Sequence, residues 1–232
     1  MSDTPTKTEP LPSHIAIIMD GNRRWAKARG MNAAQGHQEG YKRFKEVVDS
    51  LFEKGVKYLT VYAFSTENWK RDTEEVGALM NLARFVMEKE VDRYRGRNIK
   101  INIMGRASDY PDDIARKAAE INSDTASDTG GTLNIAFSYG GRAEIVEAVN
   151  HVIQSGEEVT EESISENLYT AGQPDPELVI RTGGDPRLSN FLVWQSYYSE
   201  IYFTDTLWPD FDEKEVVKAL DFYSTIKRNF GR

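Results

Sequence analysis

Four short segments hold most of the side chains in this sequence that could do chemistry. They are Asp20-Gly21-Asn22-Arg23-Arg24-Trp25, Ser65-Thr66-Glu67-Asn68-Trp69-Lys70-Arg71, Ser138-Tyr139-Gly140-Gly141-Arg142 and Arg181-Thr182-Gly183-Gly184-Asp185-Pro186-Arg187. Arginine forks grip phosphate oxygens in pairs, and backbone N–H groups at helix starts add further donors. Arg23, Arg24, Arg71, Arg181 and Arg187 therefore point to phosphate, against the plainer reading of solvated surface charge. Asp20 follows five apolar residues and is flanked by Gly21 and two arginines. A carboxylate in such company commonly holds Mg²⁺, which keeps most of its waters and takes one or two carboxylates. The alternative for Asp20 is an ordinary turn or helix N-cap. His37, next to Gly36 at the start of a helical stretch, could donate to phosphate or move a proton; alternatively it packs or caps.

The elements that must position these residues alternate between short apolar runs and amphipathic stretches, the pattern of an α/β fold with a mostly parallel sheet. Strands are expected at His14 to Met19, Val56 to Phe64, Ile99 to Met104, Thr132 to Phe137, Leu178 to Ile180 and Glu200 to Phe203. Helices are expected over 35–54, over 74–95 as one long element, after Pro111, over 142–153 and over 213–228. Asp20 opens a polar loop, residues 122–131 form another, and residues 156–162 read as an acidic surface connection. Ligands of an open parallel sheet bind at the carboxyl ends of its strands. The four reactive segments follow the first, second, fourth and fifth strands, so the arginines converge on one rim. Apolar residues such as Phe44, Leu51, Ala63, Leu79, Leu133 and Ile135 are core or, alternatively, the walls of an apolar tunnel.

Composition narrows the class. The chain has 232 residues, 37 acidic against 29 basic, a formal charge of −8 and no cysteine. That length suits one domain, and a core of that size buries roughly 70% of the unfolded surface without staples. Without cysteine there is no disulfide scaffold, thiolate zinc site or thiol nucleophile. The acidic excess argues against nucleic acid as a partner. No run approaches the ~18 apolar residues of a membrane span. Residues 1–12, polar and proline-rich, read as a disordered tail rather than a signal peptide, leaving 13–232 as the functional domain of a cytoplasmic protein.

The segments HIAIIMDGNRRWA, Gly36-His37, FSTENWKR, YGGR, RTGGDPRLSNFLVWQ and SEIYFTDTLWPDF, in this order and spacing, resemble the cis-prenyltransferases, of the bacterial undecaprenyl diphosphate synthase type. The resemblance runs from His14 to about Phe230. It implies a single α/β domain whose six-stranded sheet and flanking helices enclose an apolar tunnel. The implied reaction condenses isopentenyl diphosphate onto an allylic diphosphate such as farnesyl diphosphate, each new double bond being cis. Asp20 would be the essential acid that engages Mg²⁺ and the allylic diphosphate, with Gly21, Asn22, Arg23, Arg24 and His37 cradling that diphosphate. Trp25, Ser65, Thr66, Glu67, Asn68, Trp69 and Arg71 match the substrate-binding and catalytic loop, Asn68 being the position proposed to assist proton removal. Arg181, Arg187, Leu188 and Ser189 match the site for isopentenyl diphosphate, and Glu200 a second metal-contacting acid near a dimer interface. A homodimer, transient membrane contact during product release, and a lipid carrier for cell-wall synthesis are implied as well.

Three positions depart from the family pattern. Ala33 stands where most members have an arginine, Asp72 where many have proline, and Asn229-Phe230-Gly231 where some relatives carry Arg-x-Gly. No role is carried onto Asn229. Tyr41, Phe44 and Phe137 are candidate tunnel stops, so a short-chain product stands as an alternative, as does a regulatory subunit that keeps the fold without the chemistry. Asp112-Asp113 lacks the later aspartate of the all-α prenyltransferases. Asn22 replaces the second aspartate of haloacid dehalogenase-type phosphotransferases, and no GxxxxGK[ST] occurs.

Overall fold

In the computed structural model, which describes residues 11–228, the apolar run His14–Ile18 forms a fully buried first strand, β1. It is followed by β2 (Tyr58–Ser65), β3 (Ile99–Met104), β4 (Gly131–Tyr139), β5 (Leu178–Arg181) and β6 (Glu200–Phe203). The sheet order is β3-β4-β2-β1-β5-β6, and all five neighbouring pairs are parallel, one step beyond the mostly parallel expectation. The helices are α1 (Asn22–Ala28), α2 (Ala33–Glu53), α3 (Thr73–Lys89), α4 (Val91–Arg95), α5 (Asp112–Asp124), α6 (Gly141–Ser155), α7 (Glu161–Glu166) and α8 (Glu213–Thr225). Residues 1–10 of the expected tail, and Asn229-Phe230-Gly231, lie outside the described residues; Pro12 is buried.

Local chemistry explains the element ends. The α2 start is a capping box, in which the Asn32 side chain accepts from Gln35 N–H and Gln35 accepts from Asn32 N–H. Past its end, Gly55 takes φ +101°, which closes the helix as the sequence suggested. Three expectations need correction. The loop opening at Asp20 is short, because α1 begins at Asn22. The long helix over 74–95 turns at Glu90, whose carboxylate reaches Lys45 of α2 (3.6 Å) while Tyr94 tucks inward. The acidic connection contains the start of α7, because Thr160 accepts from Ser163 N–H and nucleates a turn there.

Strand alternation divides the buried side chains between two faces. On one face Ile15, Ile17, Leu59, Val61, Ile103 and Leu133 cluster with apolar residues of α2, α3, α5 and α8. On the other, Ala16, Ile18 and Val179 cluster with Tyr139, Phe191 and Leu192. The chain leaves β1 toward β2 on one side and β5 toward β6 on the other, so strand order reverses between β1 and β5. Crevices form at the carboxyl ends of strands at such a reversal.

Candidate active site

Asp20 stands just beyond β1, and Arg181 ends β5, paired in register with Ile18. The Asp20 carbonyl accepts from Thr182 Oγ1 (2.7 Å) and from Trp208 N–H (3.0 Å), which fixes the backbone on which its carboxylate turns. Gly183, at φ +88°, lies so close that a Cβ there would meet Arg24 Nη2 at 2.6 Å and the Asp20 carbonyl oxygen at 3.1 Å. Only glycine permits both that turn and that approach.

A cleft of about 1110 Å³ opens over these strand ends. One side of it is a linked set of opposite charges. Arg181 Nη2 lies 2.8 Å from Asp20 Oδ2, and Arg24 Nη2 lies 3.3 Å from Asp20 Oδ1. The Asp185 carboxylate faces Arg24 (3.6 Å), Arg181 (3.8 Å) and Arg187 (3.0 Å). Arg181 is almost wholly buried; its Nη1 donates to Ser189 Oγ (2.7 Å) and to the Arg187 carbonyl. Three guanidinium groups thus surround two carboxylates, an excess of positive charge in a protein that is acidic overall.

The opposite side gathers Arg23 of α1, His37 of α2 and Arg71 of the loop after β2. All three meet one carboxylate, Glu75, near the start of α3: Arg71 Nη1 at 3.0 Å, His37 Nε2 at 3.2 Å and Arg23 Nε at 3.7 Å. Burial holds the His37 imidazole below its ordinary pKa; Glu75 raises it in part, and Arg71 and Arg23 oppose that.

Between the two sides, the loop after β2 is a single 3-10 turn over Thr66–Lys70. Its cap is reciprocal, and Asn68 Oδ1 accepts from Ser65 N–H at 3.1 Å. Asn190 fastens this loop to the one after β5: its amide donates to Glu67 Oε1 (3.1 Å), while its oxygens accept from the N–H groups of Gly141 (2.7 Å) and Arg142 (3.0 Å). Burial alone would raise the Glu67 pKa, but hydrogen bonds from its own backbone N–H and from Ser65, Asn190 and Thr66 pull it below its ordinary value. Ser189 and Asn190 hold φ of +51° and +66°, conformations that cost non-glycine residues energy and recur at functional sites.

Behind the polar cleft lies an apolar cavity of about 140 Å³ between the sheet and helices α2 and α3. Tyr41 and Phe44 of α2, Leu82 and Met87 of α3, and Ile135 and Phe137 of β4 are among its walls. Cleft and cavity share Met19, Asn22, His37, Ala63 and Leu79. A ligand with a charged head and a hydrocarbon tail is the shape this pair of spaces accepts.

The comparisons with known proteins agree with that shape. Residues 18–231 match the family model described as "Putative undecaprenyl diphosphate synthase". The chain belongs to this family. The isoprenyl transferase of Fusobacterium nucleatum is 50% identical over 222 residues, 95% of this chain and 96% of that protein. That of Thermotoga maritima is 45% identical, covering 95% and 97%. Among solved structures, lavandulyl diphosphate synthase from Lavandula x intermedia, in complex with dimethylallyl diphosphate, superposes with a TM-score of 0.90 at 33% identity, covering 96% of this chain and 99% of that one. A probable undecaprenyl diphosphate synthase from Campylobacter jejuni gives 0.81 at 31% identity, with the same coverage. As a member of the isoprenyl transferase family, the chain is a transferase and an enzyme of prenyl-chain elongation.

In this transferase the cleft is lined by most of the residues singled out from the sequence: Asp20, Gly21, Asn22, Arg23, Arg24 and His37 from the first segments, Ser65, Glu67, Asn68 and Arg71 from the second, and Arg181, Arg187 and Ser189 from the last. Five others stand back from it. Trp25 turns away, its indole N–H donating to Asp210 (2.7 Å) beneath the Arg29 guanidinium. Trp69 packs on Phe64 and donates to Ser138 Oγ (2.8 Å). Thr66 lies against Gly140, and Leu188 packs with the buried cluster around Phe191. Glu200 starts β6 in register with Leu178, at the amino end of the sheet, and faces Arg228 (3.8 Å). Within one chain the fold therefore does not bring Glu200 to Asp20.

Sequence reading missed Glu75, Asp185, Asn190, Lys27 and Tyr62. Glu75 follows Arg71 by four residues across the start of a helix, and Asp185 lies between two arginines already singled out; both spacings were signals. Asn190 had none, because its role depends on a backbone conformation.

Proposed function

We propose that this transferase condenses isopentenyl diphosphate onto farnesyl diphosphate with cis geometry and builds a polyprenyl diphosphate of the undecaprenyl class, a carrier for cell-wall lipid synthesis. The observation that carries the reading is the shared wall of Met19, Asn22, His37, Ala63 and Leu79, which joins a basic cleft to an apolar cavity. The tail of the allylic substrate lies in the cavity and its diphosphate beside Arg23, Arg24 and His37, while Arg181, Arg187 and Ser189 hold the second diphosphate. Departure of diphosphate is eased by guanidinium groups already aimed at the developing charge. Packing of the two prenyl ends in the cavity mouth supplies the near-attack geometry and excludes water. Asn68, on a loop tied at both ends, stands in the cleft to assist proton loss.

Mg²⁺ belongs to this proposal. Among the described residues no group of three or more His, Asp or Glu forms a protein cage for a metal. Asp20 and Asp185, bridged by Arg24 and Arg181, fit the different demand of Mg²⁺, which takes one or two carboxylates together with substrate phosphates. Bound there, the ion would neutralise charge on the leaving diphosphate.

The proposal extends to a homodimer. Val146 and Ile153 on α6, Tyr197 and Tyr198 before β6, and Phe203 on the edge strand β6 are exposed. A partner on that edge would cover them and the strand that carries Glu200, the predicted second metal acid. Sedimentation at micromolar concentration tests this; a monomer throughout would remove both the dimer and the role of Glu200. No helix among the described residues is long and apolar enough to cross a membrane. Cytoplasmic location with transient membrane contact is proposed because ~0.8 kcal/mol per CH₂ opposes release of a long product into water; flotation with vesicles after turnover tests it.

The deciding experiment incubates the protein with Mg²⁺, isopentenyl diphosphate and geranyl, farnesyl or geranylgeranyl diphosphate in turn, and sizes the products. No elongation from any primer overturns the proposal. The modest cavity, with Tyr41, Phe44 and Phe137 in its walls, favours a second reading, a short-chain product, which the same chromatogram identifies.

A further inference from the structure

Glu75 has no place in the reaction as described, yet it is among the most heavily engaged carboxylates of the cleft region. Its side chain is only 9% exposed, and it meets basic groups from three separate elements: the guanidinium groups of Arg23 on α1 and Arg71 on the loop before α3, and the imidazole of His37 on α2. Each of those three lines the cleft, and His37 also lines the cavity. A single carboxylate therefore sets the relative positions of the groups nearest the point where a tail-bearing diphosphate passes from one space to the other.

We propose that Glu75 is a positioning residue for the diphosphate of the allylic substrate, holding Arg71 and His37 side by side and drawing Arg23 in from α1. The inference rests on the function proposed above. Long arginine side chains lose considerable rotamer freedom when they grip a ligand, and a fixed partner removes part of that cost before the ligand arrives. Two guanidinium groups against one carboxylate leave the cluster positive, so its attraction for phosphate survives the pairing. The location on α3 adds a second effect. The same helix supplies Leu79, Leu82 and Met87 to the cavity wall, so the tether that orders the head-binding groups also seats the wall around the tail.

Glu75→Gln keeps the shape and removes the charge. In the full chain with Mg²⁺, farnesyl diphosphate and isopentenyl diphosphate, the KM for farnesyl diphosphate is expected to rise about tenfold, the loss typical of a charged hydrogen-bond partner. The KM for isopentenyl diphosphate should stay within about twofold, and the melting temperature should move by no more than about 4 °C. Inorganic pyrophosphate affinity, followed by calorimetry, should weaken in parallel, and Glu75→Asp should recover part of both losses. Adding Glu75→Gln to Arg71→Gln should weaken farnesyl diphosphate binding by less than Glu75→Gln weakens it in the wild-type chain, because part of its effect acts through Arg71.

A fall in the farnesyl KM would mean that Glu75 competes with substrate, and it would overturn the proposal. So would equal rises in both KM values, or a loss confined to stability. If the wild-type chain elongates no primer, the functional reading fails first, and the pyrophosphate comparison still decides whether Glu75 orders an anion site.

Discussion

Between the sheet and helices α2 and α3, aliphatic and aromatic side chains leave a cavity of about 140 Å³, whereas on the opposite face four strands are joined by a chain of polar side chains. There, in sheet order, His14 of β1 meets Thr60 of β2 (2.7 Å), Thr60 meets Asn134 of β4 (2.9 Å), and Asn134 meets Asn102 of β3 (2.9 Å). Gln173 closes the set by pairing both ways with Asn134. The Pro174 carbonyl accepts from His14 Nδ1 (2.6 Å), so Nε2 of the neutral ring must accept from Thr60. Every member has a partner, the condition under which buried polar networks rigidify a core. The difference assigns separate duties: the polar face keeps strand register, and the apolar face, with only isolated hydrogen bonds such as those of Trp208 and Tyr110 to backbone carbonyls, is left able to accept a variable hydrocarbon.

The largest effect expected lies at neither face but at the rim between them. Asp20→Ala should lower turnover at least about a thousandfold while leaving the protein folded, as loss of one preorganised charged group does; steady-state kinetics and circular dichroism check this, and unchanged activity would remove Asp20 from the reaction. Next, Phe44→Ala on the apolar face should cost about 4 kcal/mol of stability and lengthen the products, read by denaturation and chromatography. If product length holds, Phe44 is core rather than tunnel wall.

On the polar face, burial lowers the His14 pKa to about 4. The unfolded chain takes up that proton near pH 6.5, so the stabilisation is present above pH 6.5 and declines as pH falls toward 4, by about 3 kcal/mol in all. Urea denaturation across that range should show the decline, and His14→Gln should flatten it; equal slopes in the two proteins would sink the assignment. Smallest is Thr60→Val, which leaves His14 Nε2 without its donor and removes one of the acceptors of the Asn134 amide, and should cost about 2 kcal/mol with unchanged kinetics. An altered product length there would erase the division of duties.

Much of this was legible in the residues. The first strand, the edge strands β3 and β6 and the convergence of arginines at strand ends follow from periodicity and from where ligands bind on parallel sheets. The turn at Glu90 was hidden because an apolar stripe continues past it, and α1 because its exposed face is almost wholly charged. Within the site, residue types announced the arginines and Asp20 but not their partners. Glu75 and Asp185 act through distances set by three or four elements, and Asn190 through a left-handed backbone that composition does not reveal. Trp25 and Trp69 show the converse: each belongs to a reactive segment yet supports it from behind.

The pairing of β1 with β5 also has a consequence in time. Asp20 and Arg181 are 161 residues apart, so at ordinary synthesis rates their delivery from the ribosome is separated by on the order of ten seconds. Through that interval the central strand has only one possible neighbour, and Asp20 lacks the guanidinium group that later faces it. The joining of Asp20 to Arg181 is therefore not acquired by degrees as the chain lengthens; it arrives with the last quarter of the molecule, when the strand carrying Arg181 closes on the first one made.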